Sequence, residues 1–145
     1  MNQPVERVRQ DLVELRIPSR AEWVALARLA IAAVANRLRF SIDEIEDVKL
    51  AVAEACTAVI QHEGHGEFIE LTCETLSDTL RIRVRDAGRP AIEKPDGKSM
   101  DLDEARVAGL GVFLIRTLMD EVTYDVHPEL GTDLVMTKRM PVRPA

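Results

Sequence analysis

Aromatic side chains are scarce in this 145-residue chain: three Phe, one Trp and one Tyr, scattered and too few for a platform on which nucleic-acid bases stack. An excess of positive charge is missing too. Nineteen Lys and Arg stand against 25 Asp and Glu, a formal net of -6, which argues against a protein that grips a phosphate backbone. A small nucleotide stays open, because backbone N–H groups hold phosphates without many lysines. The two cysteines, Cys56 and Cys73, are too few and too far apart for a disulfide framework or a structural zinc site. They read as buried thiols in a reducing compartment. No apolar run approaches the roughly 20 residues that cross a bilayer, and the polar stretch 1–10 has no hydrophobic signal core. A cytoplasmic protein with no membrane contact is the expectation. Several motifs are absent: no G-x-G-x-x-G follows the first strand pattern, no G-x-x-x-x-G-K-[ST] occurs, and His62, His65 and His127 lack the H-E-x-x-H spacing of a zinc helix. There is no nucleophile elbow.

What is present is 46% apolar residues, enough for one domain with a core. The periodic patterns run from 11 to 140, with 1–10 and 141–145 read as flexible ends. Val13, Leu15 and Ile17 alternate with Glu14 and Arg16 as a half-buried strand that Pro18 stops. Ser19 and Glu22 form a capping-box pattern before a helical stripe of Trp23, Leu26, Ala27, Ala30, Ile31, Val34 and Leu38. Ser41 and Glu44 repeat that signal ahead of Ile45, Val48, Ala51, Val52, Ala55 and Val59, a helix reaching about His62. Phe68 to Glu74 and Leu80 to Asp86 predict a hairpin in which Leu80, Ile82 and Val84 face inward while Arg81, Arg83 and Arg85 face solvent. From Ala87 to Ala108 no period is sustained, and a connection of that length suggests a lid, with a short helical turn at 101–106. Gly109-Leu110-Gly111 is read as the opening of a helix through Met119. Two strands, at Val122 to Val126 and Asp133 to Met140, close the chain. This order predicts an α/β fold, a two-layer sandwich of a mostly antiparallel sheet covered by three helices.

Four features along this frame can carry chemistry. Glu54 sits mid-helix at the margin of the buried stripe, where it is either a solvated helix residue or a proton acceptor. Asp86 ends a strand and is followed by Gly88, which is a plain turn or a carboxylate offered to an amino group beside a backbone that approaches a flat ligand. Gly109 and Gly111, placed at a helix start, would expose free N–H groups suited to phosphate. Gly131 and Thr132 precede the last strand as a turn or a further ligand contact. Each is commonplace alone; the ordered set is not.

Taken together these motifs resemble the bacterial anti-sigma factor serine/threonine kinases, in the ATPase superfamily of the histidine kinases, gyrase B and the mismatch-repair MutL proteins. Asp47 to Thr57, closed by His62, resembles the N-box helix of that family. Val84-Arg85-Asp86-Ala87-Gly88-Arg89-Pro90 resembles its first glycine box, and Gly109 to Ile115 with Met119 to Val122 resembles its second. Gly131-Thr132 with Leu134, Met136 and Thr137 matches its ending. The resemblance implies a Bergerat-type ATPase fold and ATP with Mg2+ as cofactors. It implies Glu54 as the general base, Asp86 as the reader of the adenine amino group, and Thr132 near the adenine end. Gly88, Gly109, Leu110 and Gly111 would shape the pocket, and Arg89 to Ala108 would be the ATP lid. The implied partners are a sigma factor, held inactive, and an antagonist protein whose serine or threonine is phosphorylated, with a homodimer as the assembly and no direct contact with nucleic acid.

One position departs from the pattern. Four residues after the glutamate the family carries an asparagine that coordinates magnesium, and this chain has Ala58, which offers no ligand oxygen. Asp47 and Glu63 are the nearby acidic residues. No metal-binding residue is assigned on the sequence, and the alternative to a kinase is an ATPase-fold module that regulates a partner by binding alone.

Overall fold

The computed structural model describes residues 10–62, 66–87, 102–127 and 131–142, with side chains from 110 onward in the third of these spans. Residues 1–9 and 143–145 of the expected flexible ends, Gly88, and residues 88–101 of the expected lid lie outside the described residues.

Among the described residues five strands form one antiparallel sheet: β1 (Asp11–Pro18), β2 (Phe68–Thr75), β3 (Thr79–Ala87), β4 (Glu121–His127) and β5 (Gly131–Arg139), in the spatial order β1-β2-β3-β5-β4. Three helices, α1 (Val24–Ala35), α2 (Ile42–Gln61) and α3 (Leu102–Leu118), make the second layer. Helix α2 packs between α1 and α3 and lies against β3. This is the two-layer α/β sandwich expected from the sequence.

Alternation in the strands decides which face the helices cover. Ile69, Leu71 and Cys73 on β2, Leu80, Ile82 and Val84 on β3, and Leu134 and Met136 on β5 are buried toward the helices. Their partners are Val48, Ala51, Val52, Ala55 and Val59 of α2, Ile31 of α1, and Val112 and Ile115 of α3. The opposite face carries a rung of alternating charge, Arg16, Glu70, Arg85 and Asp133, aligned across β1, β2, β3 and β5. Glu70 is bonded by both Arg16 and Arg85, and Asp133 accepts two bonds from Arg83. The three arginines of β3 are thus explained by a solvated sheet face.

The α2 start forms as the sequence indicates. Ser41 Oγ accepts from Glu44 N–H and Glu44 returns a bond to Ser41 N–H, a complete capping box. The same pattern at Ser19 and Glu22 does not. There the chain makes a single 3-10 turn (Ala21–Trp23) preceded by Arg20 with no side-chain cap, and Ser19 is buried with its backbone N–H bonded to Glu67. Its position directly after edge strand β1 ties it to the sheet rather than to the helix. Trp23 and Leu26 are exposed, and the buried stripe of α1 narrows to Ala27, Ile31 and Ala35.

A larger correction concerns α3. It begins at Leu102, so Gly109 and Gly111 lie inside the helix rather than at its start. Their N–H groups are therefore not the unsatisfied donors of a first turn, and the phosphate argument built on a helix opening at Gly109 does not apply. Two glycines masked the helix because they weaken local propensity without preventing the conformation. Gly131 and Thr132 likewise belong to β5 rather than to a turn before it.

Candidate functional site

On β3 the inward alternation Leu80, Ile82, Val84 continues to Asp86, so a carboxylate takes an inward position at the end of a central strand and is 6% exposed. On β5 the period Leu134, Met136 runs back to Thr132, which is 1% exposed. The last paired residues of these strands are Arg85 and Asp133, so the next rung sets Asp86 beside Thr132. The Thr132 hydroxyl has no hydrogen-bond partner among the described residues. A buried hydroxyl without a partner costs stability and is a reason to look for a ligand. Asp86 Oδ1 accepts from the backbone N–H of Gly66 at 2.6 Å.

A second group forms between α2 and α3. Glu54, Thr57, Ala58 and Gln61 recur at three- and four-residue spacing and so share one face of α2. With Leu110, Gly111 and Leu114 of α3 they line a cavity of about 270 Å³. Gly111 leaves room for the Glu54 carboxylate: a Cβ on Gly111 would stand 3.7 Å from Glu54 Oε2. Glu54 is half-buried, whereas Leu110 and Phe113 are exposed. Thr57 donates its hydroxyl proton to Ala53 O at 2.8 Å. His62, which caps the end of α2, keeps Nδ1 buried without a hydrogen-bond partner among the described residues.

The structure thus brings Glu54 together with Leu110 and Gly111, and Asp86 together with Thr132. Asp86 and Thr132 do not line the cavity, and Gly109 is placed only as a residue of α3. Sequence reasoning missed Gln61 and Gly66. The seven-residue step from Glu54 could have flagged Gln61. Gly66 carries no local signal, since it meets Asp86 only through the pairing of β2 with β3.

The model of the histidine kinase-like ATPase domain matches residues 17–138, which spans every element from the end of β1 to the end of β5. The chain belongs to that family. Within it, the chain is 38% identical over 142 residues to the serine-protein kinase RsbW of Halalkalibacterium halodurans, covering 91% of this chain and 86% of that protein. It is 37% identical over 141 residues to the serine-protein kinase RsbW of Staphylococcus aureus, covering 90% and 87%. This likeness places the chain with the RsbW-type anti-sigma factor kinases. Family membership supports nucleotide binding as the general role of the fold.

Magnesium fits less well. It takes near-octahedral oxygen ligands and is usually held by one or two protein oxygens together with phosphates and water. Among the described lining of the cavity Glu54 is the one carboxylate and Gln61 the one side-chain amide, Thr57 is engaged with its own helix, and Ala58 presents a methyl group. Among the described residues no three His, Cys, Asp or Glu side chains cluster as a metal site. The lining offers no second carboxylate and no oxygen at position 58, and no step below passes through the ion.

No helix among the described residues is long and apolar enough to cross a membrane. The thiols of Cys56 and Cys73 are both free and buried, and burial pushes each up to about 12.

Proposed function

We propose that this chain is an anti-sigma factor with serine/threonine kinase activity, which sequesters a sigma factor and phosphorylates the antagonist that releases it. The observation that carries the reading is the family match across the whole sandwich, with Glu54 of the N-box helix facing Gly111 of the second glycine box across one cavity. ATP supplies the phosphoryl group. Asp86 accepts from the adenine amino group, Thr132 lies at that end, and Gly88, Gly109, Leu110 and Gly111 shape the pocket, with Gly111 near the phosphates. The antagonist's hydroxyl oxygen bonds to the γ-phosphorus while the bond to the bridging β–γ oxygen breaks, leaving ADP. Glu54 takes the hydroxyl proton, and positioning supplies most of the remaining rate.

Transfer of labelled γ-phosphate from ATP to a purified antagonist tests this. The parent protein transfers it, and Glu54→Gln loses about 10²–10⁴-fold in rate, the usual worth of a general base, while still binding nucleotide. Equal transfer by parent and variant would remove Glu54 from the chemistry.

A second reading is favoured by Ala58. A chain lacking that ligand oxygen regulates by sequestration alone, and a parent that binds a sigma factor yet labels no antagonist would establish it. For assembly, a second copy of this chain suits edge strand β1, where Leu12 and Val13 are exposed; Trp23, Leu26 and Leu29 are exposed as well. Sedimentation at micromolar concentration distinguishes dimer from monomer, and Val13→Lys shifts it to monomer.

A further inference from the structure

Asp86 is held between two stretches of backbone. On one side Gly66 donates its N–H to Oδ1 at 2.6 Å, and a Cβ on Gly66 would stand 2.1 Å from the carbonyl oxygen of Ala87 and 2.8 Å from Oδ1 itself. On the other side Gly131, at φ +89°, passes so close that a Cβ would stand 2.5 Å from Oδ2 and 2.8 Å from the Asp86 Cβ. Only glycine permits both approaches, and at 131 the positive φ adds a second reason. The three segments converge because β2 and β3 pair Ile69 with Asp86, which carries the residues just before β2 past the end of β3.

The consequence lies in the last side-chain torsion of the aspartate. A torsion between sp³ and sp² carbons has a broad minimum, so an unrestrained carboxylate turns in its plane at little cost. A backbone N–H on Oδ1 fixes that plane. A carboxylate has about four acceptor positions, and the bond from Gly66 occupies one of them. Beside it stands the Thr132 hydroxyl, without a partner among the described residues and able to donate or accept. An acceptor next to a donor is complementary to the edge of a 6-aminopurine, whose amino group donates and whose N1 accepts. A 6-oxopurine reverses both and sets its carbonyl oxygen against the carboxylate.

We propose that Gly66 is a specificity-determining positioning residue, whose N–H fixes the Asp86 carboxylate as the acceptor that selects a 6-aminopurine nucleotide over a 6-oxopurine one. This rests on the assignment of Asp86 as the nucleobase contact. Gly66 touches no ligand itself; it acts through Asp86, and the absence of its side chain is as necessary as its donor.

Calorimetric titrations of the full chain with ADP and with inosine diphosphate test it, in the parent, in Gly66→Ala, and in Ile31→Val, a core change in α1 that controls for lost stability. The expected result is an ADP preference that falls about tenfold in Gly66→Ala, in line with the loss of a hydrogen bond that discriminates between ligands, and holds in Ile31→Val. A folded Gly66→Ala with the parent's preference overturns the proposal and leaves the nucleotide reading standing. A parent that binds neither nucleotide overturns both. If Gly66→Ala does not fold, the Gly66 amide proton of the parent answers instead. It shifts on saturation with ADP and less than half as far with inosine diphosphate, and an equal response to the two overturns the proposal.

Discussion

The ammonium group of Lys138 donates to the carbonyl oxygen of Leu118 at 2.7 Å, from a side chain on the inward face of β5 that is 9% exposed. A helix end leaves its last carbonyls unsatisfied, and a cation there also suits the negative end of the helix dipole. Asp120 completes the anchor by accepting from the Arg139 N–H at 2.6 Å and donating its own N–H to Thr137 O at 2.9 Å, so the α3–β4 junction is tied to β5 by three bonds. The end of α3 that follows the Glu54 cavity is therefore fixed to the sheet. Lys138→Met keeps the aliphatic stem and leaves the carbonyl unpartnered, with an expected loss of about 1–3 kcal/mol in urea unfolding. A variant as stable as the parent would show that the bond is not worth its burial.

Two glycines should respond oppositely to alanine. Gly111 lies inside α3 with room for a Cβ at 3.7 Å from Glu54 Oε2, so Gly111→Ala is expected to raise stability by about 0.5–1 kcal/mol. It also narrows the cavity and weakens nucleotide binding. Gly131→Ala meets the Asp86 carboxylate at 2.5 Å and a positive φ, and is expected to cost about 2–3 kcal/mol or more. Thermal unfolding of the pair checks both signs.

Acid should weaken the outer face of the sheet. Hydrogen bonds from Arg83 hold Asp133 below the ordinary aspartate range, and those from Arg16 and then Arg85 hold Glu70 below the glutamate range. Carboxyls depressed in the folded chain add stability above their unfolded values, and that stability is lost as pH falls through the folded ones. The loss therefore sets in below about pH 4–5, where unfolded carboxyls begin to bind protons. Both pairs are partly solvated, so each contributes no more than about 1 kcal/mol. In Asp133→Asn or Glu70→Gln, stability measured from pH 5 to pH 2 should fall less steeply than in the parent.

Cys56 and Cys73, pushed up to about 12 by burial, hold almost no thiolate at pH 8. Neither should react with a disulfide reagent in the native protein, and both should react promptly in denaturant. Rapid labelling of either under native conditions would show that the core around α2 and β2 opens locally.

The strands and α2 were legible because their burial follows a single period. Leu80, Ile82 and Val84 on one face and Arg81, Arg83 and Arg85 on the other leave one assignment for β3. Helix α3 was half legible: Val112 and Ile115 fix its buried face, whereas Gly109 and Gly111 disguised its continuation back to Leu102. The false cap at Ser19 has the right residues in the wrong setting, since the chain there is held to Glu67 by the sheet. Within the candidate site, Glu54 and Asp86 stood out as carboxylates at the edge of apolar periods. Gly66 did not, because nothing local links it to a residue twenty positions away.

The most direct test of the account is calorimetric titration of the full chain with ATP, with magnesium and with excess chelator, beside Thr132→Val and Ala58→Asn. The account predicts saturable binding at one site per chain. Thr132→Val should weaken it several-fold, and magnesium should tighten binding to Ala58→Asn far more than binding to the parent, because the variant adds an amide oxygen one helical turn from Glu54. A parent that takes up no ATP under either condition would contradict it.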